Sequence, residues 1–311
     1  MRSKIFILVA MLAFLIYGSS IVYVQAQYPG YDKPYNPLIG GIQIQISTYG
    51  GMMGGFCSLA FPVKFKEGSQ IKDGFITAGH CINIEEGRNY VHQPNISSDF
   101  WWNNLIGIGI RNAYPHGGGN TDLDGALIRI YEICERFGCY PARLTEAKIF
   151  ENGTYFPGDL KDYNDKVGIL GYFRPYKIWE NNTIIYKSGR TTGLTYGLLT
   201  KIDKKVVLAN NVIIEPALEI SRCPNNQCYY NGPIAAGGDS GGVAYMRNVG
   251  YIRYPSGFEC VAWVVGINSA ATTDGVFLYA SWAIKVTERW SDVELVTCGP
   301  RSDSPSCLVI I

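Results

Sequence analysis

The strongest chemical signal in this sequence is the hexapeptide Gly237-Gly238-Asp239-Ser240-Gly241-Gly242. Glycines on both sides of a serine let the backbone turn tightly and bring main-chain amides up to a reacting carbonyl. In a chain of this composition the pentapeptide Gly-Asp-Ser-Gly-Gly arises by chance roughly once in a thousand sequences. The structural alternative is an ordinary Gly-rich turn carrying Asp and Ser. A serine hydroxyl is a weak nucleophile until a base takes its proton, and that base needs a carboxylate to orient it. Thr77-Ala78-Gly79-His80-Cys81 supplies the base: His80 follows an apolar run, whereas His92 and His116 lie in polar, turn-like sequence. Asp122 and Asp124 compete for the third role. Only Asp124 precedes the run Gly125-Ala126-Leu127-Ile128-Arg129-Ile130 in an Asp-x-Ala-Leu register, which places its carboxylate at the mouth of a strand.

Such residues must be positioned by a scaffold, and the chain reads as all-β. It has 311 residues, with 36 Gly and 22 Tyr against only 17% charged residues, which favours turns and aromatic-bearing strands over long helices. That length accommodates one two-lobed catalytic unit. Short apolar runs punctuated by turn residues predict strands at 42–46, 58–65, 75–78, 106–110 and 126–131 for a first barrel. A second set follows at 166–173, 184–187, 197–202, 206–214, 242–246 and 261–267. Helix-like spacing is confined to the stretch from Ser281 to Arg289, with Trp282, Ile284, Val286 and Trp290 on overlapping faces.

Arg2 and Lys4 precede the apolar run Ile5 to Tyr17, and Val24-Gln25-Ala26 offers a cleavage site, the layout of a secretory signal over 1–26. An uncleaved anchor is the competing reading, because Ile21 to Val24 resume the apolar character. Either way the body is expected outside the cytoplasm, where sequons at Asn95, Asn152 and Asn181 would be usable. The formal charge of +1 excludes bulk attraction to nucleic acid or anionic membrane, and no specific lipid partner is implied. Nine cysteines in an exported chain argue for disulfides rather than metal, since no Cys/His cluster has zinc spacing. Cys134 with Cys139, Cys223 with Cys228, and Cys298 with Cys307 are candidate local bridges. No metal and no cofactor are expected.

Taken in order, TAGHC, Asp-x-Ala-Leu and GDSGG resemble the chymotrypsin superfamily of serine proteases. Ile39-Gly40-Gly41, Cys57-Ser58-Leu59-Ala60-Phe61-Pro62-Val63 and Lys187-Ser188-Gly189-Arg190-Thr191-Thr192-Gly193 narrow the likeness to the secreted bacterial branch with the streptogrisins and alpha-lytic protease. The resemblance runs from Ile39 to about Ala283. It implies two perpendicular six-stranded antiparallel β-barrels, the site in the cleft between them, and a Cys57–Cys81 bridge that leaves Cys260 as the odd thiol. It implies an oxyanion hole from the amides of Gly238 and Ser240, and a substrate pocket between Ile234, Ala235, Ala236 and Gly237 on one wall and Ser269, Ala270 and Ala271 on the other. Lys187 stands at the position of a family arginine and is the candidate partner of Asp239. Tyr186 and Tyr196 replace a family disulfide, and Ile234 replaces another cysteine.

The expected organisation is a signal over 1–26, an exposed arm or pro-segment over 27–38, a first barrel over 39–135 and a connecting segment over 136–163. A second barrel over 164–290 and a tail over 291–311 complete it. The function that follows is a secreted, monomeric serine endopeptidase acting on polypeptides, with apolar residues preferred before the scissile bond. An inactive, protease-like extracellular binding protein is the alternative.

Overall fold

The computed structural model describes residues 30–48, 53–96, 104–135, 138–141, 143–151, 166–222, 232–247 and 260–298. Two sheets dominate. In the first, Gln43–Ser47, Tyr90–His92, Leu105–Asn112, Ala126–Ile130, Gln70–Thr77 and Pro62–Glu67 pair in that order, all antiparallel. Met53–Ser58 pairs with the far side of Gln43–Ser47 and runs through Leu59 to Phe61 into Pro62–Glu67. That link bonds on both flanks: Leu59 donates to the Ile42 carbonyl at 3.0 Å and Ala60 to the Ile76 carbonyl at 2.7 Å. One long bent segment thus lies at both ends of the order and brings the sheet round on itself as six strands.

The second lobe pairs in a closed cycle. Cys260–Ala271, Val243–Arg247, Ile184–Gly189, Gly193–Val207, Val212–Ser221 and Phe277–Trp282 follow one another, and the last returns to Cys260–Ala271. Lys166–Tyr172 adds in parallel to Cys260–Ala271, followed by Thr145–Phe150 and Leu38–Gly40. Strands of this kind are buried on both faces, and their side chains sort by parity. Phe75 and Ile128 enter the interior of the first lobe, while their neighbours Ile76 and Leu127 enter a core shared between the lobes. Val243 and Tyr245 face the shared core, whereas Ala244 and Val265 fill the second lobe. Each fully buried side chain of this size contributes roughly 1.5–3 kcal/mol, so the inter-lobe core fixes the cleft geometry as firmly as either lobe interior.

Several sequence expectations change. The predicted strand at 206–214 is a hairpin: Gly193–Val207 ends, Asn210 and Asn211 take φ of 58° and 57°, and Val212–Ser221 returns. The helix is only Lys285–Arg289, because Ser281 and Trp282 belong to Phe277–Trp282, where Ser281 stands opposite Ala217 and Ile267. The expected arm is built into the fold from Gly30 onward. Tyr31 is fully buried, its carbonyl accepts from the Gln43 amide at 2.9 Å, and its ring meets Phe150 edge-on at 4.7 Å. The connecting segment supplies the strand Thr145–Phe150, and the tail returns Val293–Leu295 to the first sheet beside Pro62–Glu67. The signal segment, Asn152, Cys223, Cys228 and Cys307 lie outside the described residues. No helix among those described is long and apolar enough to cross a membrane.

Candidate active site

His80 sits in a short 3₁₀ turn, Gly79–Cys81, at the end of Gln70–Thr77. A disulfide from Cys57 to Cys81 pins that turn to the neighbouring strand. Asp124, fully buried, lies just before Ala126–Ile130, which pairs directly with Gln70–Thr77 and so carries the carboxylate to the histidine. Asp124 Oδ1 accepts from the His80 backbone amide at 2.8 Å, and Oδ2 lies 2.8 Å from His80 Nδ1. A carboxylate can only accept, so Nδ1 carries the proton and Nε2 is left with its lone pair. Burial, the largest influence on His80, works against its cation. The charge of Asp124 and its hydrogen bond outweigh that and raise the imidazole above its ordinary range. Asp122, the rejected competitor, instead faces Lys285 at 3.5 Å on the partly exposed side of the loop.

Ser240 comes from the other lobe, on a loop anchored through Asp239. The Asp239 carboxylate accepts from the amides of Thr191 at 2.8 Å, Thr192 at 3.1 Å and Ala236 at 3.0 Å, and from Thr192 Oγ1 at 2.6 Å. Lys187 Nζ completes the set at 3.1 Å, and also donates to the Gly193 carbonyl at 3.0 Å and to Thr192 Oγ1. All three ammonium protons are used and neither partner sees solvent: Lys187 is 0% and Asp239 1% exposed. Burial pulls the ammonium below its ordinary range, opposed by the Asp239 charge.

The same loop docks on the first lobe. The Ser58 amide donates to the Ser240 carbonyl at 2.7 Å, and Ser58 Oγ donates to the Gly238 carbonyl at 3.0 Å. Gly241, at φ 79°, lies so close to Thr77 and Ala78 that no side chain would fit there. The Gly238–Gly242 loop therefore abuts the strand end that carries His80. Gly238, at φ 95°, turns the chain so that its own carbonyl and that of Gly237 point back into the protein, the latter accepting from Thr191 Oγ1 at 2.7 Å. The amides of Asp239, Gly241 and Gly242 donate to Ala236, Asn268 and Asp239. Those of Gly238 and Ser240 have no acceptor among the described residues.

The pocket residues fall into two groups. Ile234 and Ala235 are buried in the interior of the second lobe, and the Ile234 carbonyl accepts from Thr195 Oγ1 at 2.6 Å. Ala236, Ala270 and Ala271 are half-buried, and Ser269 is buried beside them. Cys134 and Cys139 stand opposite one another in the hairpin Glu132–Glu135 with Gly138–Pro141. Cys298 is disulfide-bonded, and Cys260 opens the strand Cys260–Ala271. Tyr186 and Tyr196 are direct cross-strand partners with rings 5.8 Å apart, an aromatic pair where the family resemblance expected a bridge. Among the described residues no group of three or more His, Cys, Asp or Glu could hold a metal. Ser58 and Ser281 carry much of this geometry, yet neither stood out in the sequence, because a lone serine has no spacing to read.

Solved structures of similar fold include several proteases. A Nocardiopsis protease matches with a TM-score of 0.53 at 18% identity, over 84% of this chain and 100% of its own. An alpha-lytic protease homolog, N4, matches at 0.50 and 14%, over 84% and 100%. A glutamic-acid-specific serine protease that uses a histidine triad in substrate binding matches at 0.50 and 19%, over 83% and 100%. The fold of this chain is thus the double β-barrel of the chymotrypsin-type serine proteases, with alpha-lytic-like structures among its neighbours. No protein-family model and no curated protein matches the sequence.

Proposed function

We propose that the chain is a secreted serine endopeptidase in which Ser240 is the nucleophile, His80 the general base and acid, and Asp124 the residue that fixes the imidazole. The observation that carries this reading is the His80–Asp124 pair, bonded at 2.8 Å through Nδ1, with Gly241 next to Ser240 packed against Thr77 and Ala78. Ser240 Oγ has no hydrogen-bond partner among the described residues, consistent with a bond to His80 that closes when substrate arrives. In the reaction Ser240 attacks the peptide carbonyl while its proton moves to His80 Nε2. The imidazolium, stabilised by Asp124, then protonates the leaving amine, and water repeats the sequence on the acyl-enzyme. The uncommitted amides of Gly238 and Ser240 would hold the oxyanion, where loss of one donor costs about 3–4 kcal/mol of barrier.

The specificity that fits best is a small or medium apolar side chain before the scissile bond. Ala236, Ala270 and Ala271 present methyl groups. All three histidines are placed elsewhere: His80 on Asp124, His92 buried against Ser47, and His116 against the Ile82 carbonyl. No imidazole therefore stands on the pocket walls to receive an acidic side chain. The oxidised Cys57–Cys81 pair supports export to an oxidising compartment.

Ser240→Ala should lower turnover of an unfolded protein on the order of a million-fold, and a fluorophosphonate should label the wild type at Ser240 alone. Retained turnover in Ser240→Ala, or an unlabelled wild type, would overturn the assignment in favour of a protease-like binding protein. Equal cleavage of matched peptides with Leu, Arg or Glu before the bond would overturn the apolar preference.

A further inference from the structure

Asp124 belongs to the first lobe, but its backbone is held by the second. Its amide donates to Ser281 Oγ at 2.9 Å, a buried contact between residues 157 apart in sequence. Ser281 is fully buried on Phe277–Trp282 and stands opposite Ala217 and Ile267. Its oxygen lies 3.1 Å from Ser269 Oγ, which in turn donates to the Ile267 carbonyl at 3.3 Å.

The two ends of this chain have fixed directions: the Asp124 amide can only donate and the Ile267 carbonyl can only accept. A hydroxyl has one proton. With Ser269 donating to the Ile267 carbonyl, the Ser281 hydroxyl donates to Ser269 Oγ, and its lone pairs accept from the Asp124 amide. The resulting run, Asp124 N–H to Ser281 to Ser269 to the Ile267 carbonyl, points one way throughout. Each bond polarises the next in a site closed to water. It ends on Cys260–Ala271, the strand whose residues Ser269 to Ala271 form one wall of the proposed pocket.

We propose that Ser281 is a positioning residue for the catalytic acid, tying the Asp124 backbone to the pocket-wall strand so that both carboxylate oxygens meet His80. This rests on the serine-peptidase reading above. Two contacts on the same loop show that the anchoring is local to Asp124. Gly119–Thr121 pairs in parallel with Val212–Ile214 of the second lobe, and Asp122 meets Lys285 at 3.5 Å. Those contacts hold the loop as a whole. Only the Ser281 bond reaches the residue whose carboxylate must be aimed, and a shift of the Asp124 backbone moves Oδ1 and Oδ2 together, one off the His80 amide and the other off Nδ1.

The test uses Ser281→Ala, Ser281→Thr and the wild type, each titrated with a fluorophosphonate and assayed on a peptide across pH, with the folded fraction measured by thermal melting. Wild-type labelling checks the peptidase reading independently: an unlabelled wild type refutes that reading, whatever Ser281 does. Given a labelled wild type, Ser281→Ala should label roughly tenfold or more slowly, the rate equivalent of one lost buried hydrogen bond. KM should stay within about twofold, as expected when only a transition-state contribution is lost. The acid limb of its rate profile should move to lower pH, because a mis-aimed Asp124 no longer raises His80. Ser281→Thr, which keeps the hydroxyl, should recover part of the rate and the acid limb. An unchanged labelling rate in Ser281→Ala would overturn the proposal. So would a loss that merely tracks a smaller folded fraction with the acid limb unmoved, since that is the mark of a structural serine.

Discussion

Replacing Lys187 with methionine keeps most of the side-chain volume and removes the cation that pairs with Asp239 in the Ser240 loop. Neither partner of the Lys187–Asp239 pair reaches solvent, so the usual weak contribution of an exposed ion pair does not apply. Leaving one member of a buried pair uncompensated costs about 3–5 kcal/mol. Asp239 retains three amide donors and the Thr192 hydroxyl, which places the expected loss at the lower end, about 3 kcal/mol. For a chain of 311 residues that corresponds to a melting-temperature drop of roughly 5 °C. The variant would leave the Thr192 hydroxyl and the Gly193 carbonyl without the ammonium as well, loosening the segment against which the loop is set. Differential scanning calorimetry with a parallel peptidase assay measures both effects. Lys285→Met, which breaks a partly exposed pair with Asp122 and Glu288, serves as the comparison and should change stability by no more than about 1 kcal/mol. A Lys187→Met protein with wild-type melting temperature and wild-type activity would refute the anchor, and with it the claim that Asp239 is held by charge compensation.

Further outcomes follow from the geometry. In the proposed mechanism His80 must be neutral to accept the Ser240 proton, so the rate should fall on acidification through a value above the ordinary histidine range, because Asp124 raises the imidazole. Stability runs the other way. The folded state favours the protonated form, so this contribution is full below the unfolded histidine pKa and is lost as pH rises through the raised folded value. Asp124→Asn should lower kcat by about ten-thousand-fold and abolish the displacement of the acid limb. A profile with its midpoint at or below that of a free histidine would contradict the assignment. Tyr31→Ala should destabilise by about 3–5 kcal/mol, the range for an aromatic deleted from a packed interior. A chain beginning at Ile39 should show at least that loss in urea denaturation; an unaltered midpoint would mean the segment from Gly30 to Leu38 is dispensable.

How much of this was readable beforehand depends on whether a residue acts through a local pattern. GDSGG, TAGHC and the register after Asp124 are contiguous, and the backbone turns they require are local, so each could be found without the fold. Most core strands were visible because both parities are apolar, as with Phe75 and Ile76. The failures are long-range. Tyr31 looked like part of a polar arm because its partners Gln43, Phe150 and Ser188 are distant in sequence. Thr145–Phe150 does alternate, with Ala147, Ile149 and Phe150 buried among partly exposed residues, but the surrounding cysteines and polar segments disguised it as a connection. Val206 to Ile214 read as one strand because Val, Leu and Ile flank the turn closely, and only Asn210 and Asn211 marked the reversal. Ser281 fell in a stretch whose tryptophans mimic a helical stripe, whereas pairing with both Val212–Ser221 and Cys260–Ala271 imposes a strand.

The two halves of the site come from different lobes, so their mutual placement requires bonds that cross the cleft, and Ser58 concentrates them. Its amide and hydroxyl donate to the carbonyls of Ser240 and Gly238, its hydroxyl also accepts from the Arg190 amide at 3.0 Å, and its carbonyl accepts from Thr77 Oγ1 at 2.8 Å. The adjacent Cys57 is bonded to Cys81, next to His80. Two neighbouring residues, Cys57 and Ser58, thereby connect the Gly238–Gly242 loop and the turn that carries His80. Arg190 strengthens the crossing through Gln43 at 2.7 Å and over the ring of Phe56 at 4.4 Å. The Ser281 bond secures the Asp124 backbone to the second lobe. The serine and the acid are each gripped by the lobe they do not belong to, while His80 is held covalently within its own. A relative shift of the lobes would strain both crossings at once, which ties the integrity of the inter-lobe core directly to the geometry of His80, Asp124 and Ser240.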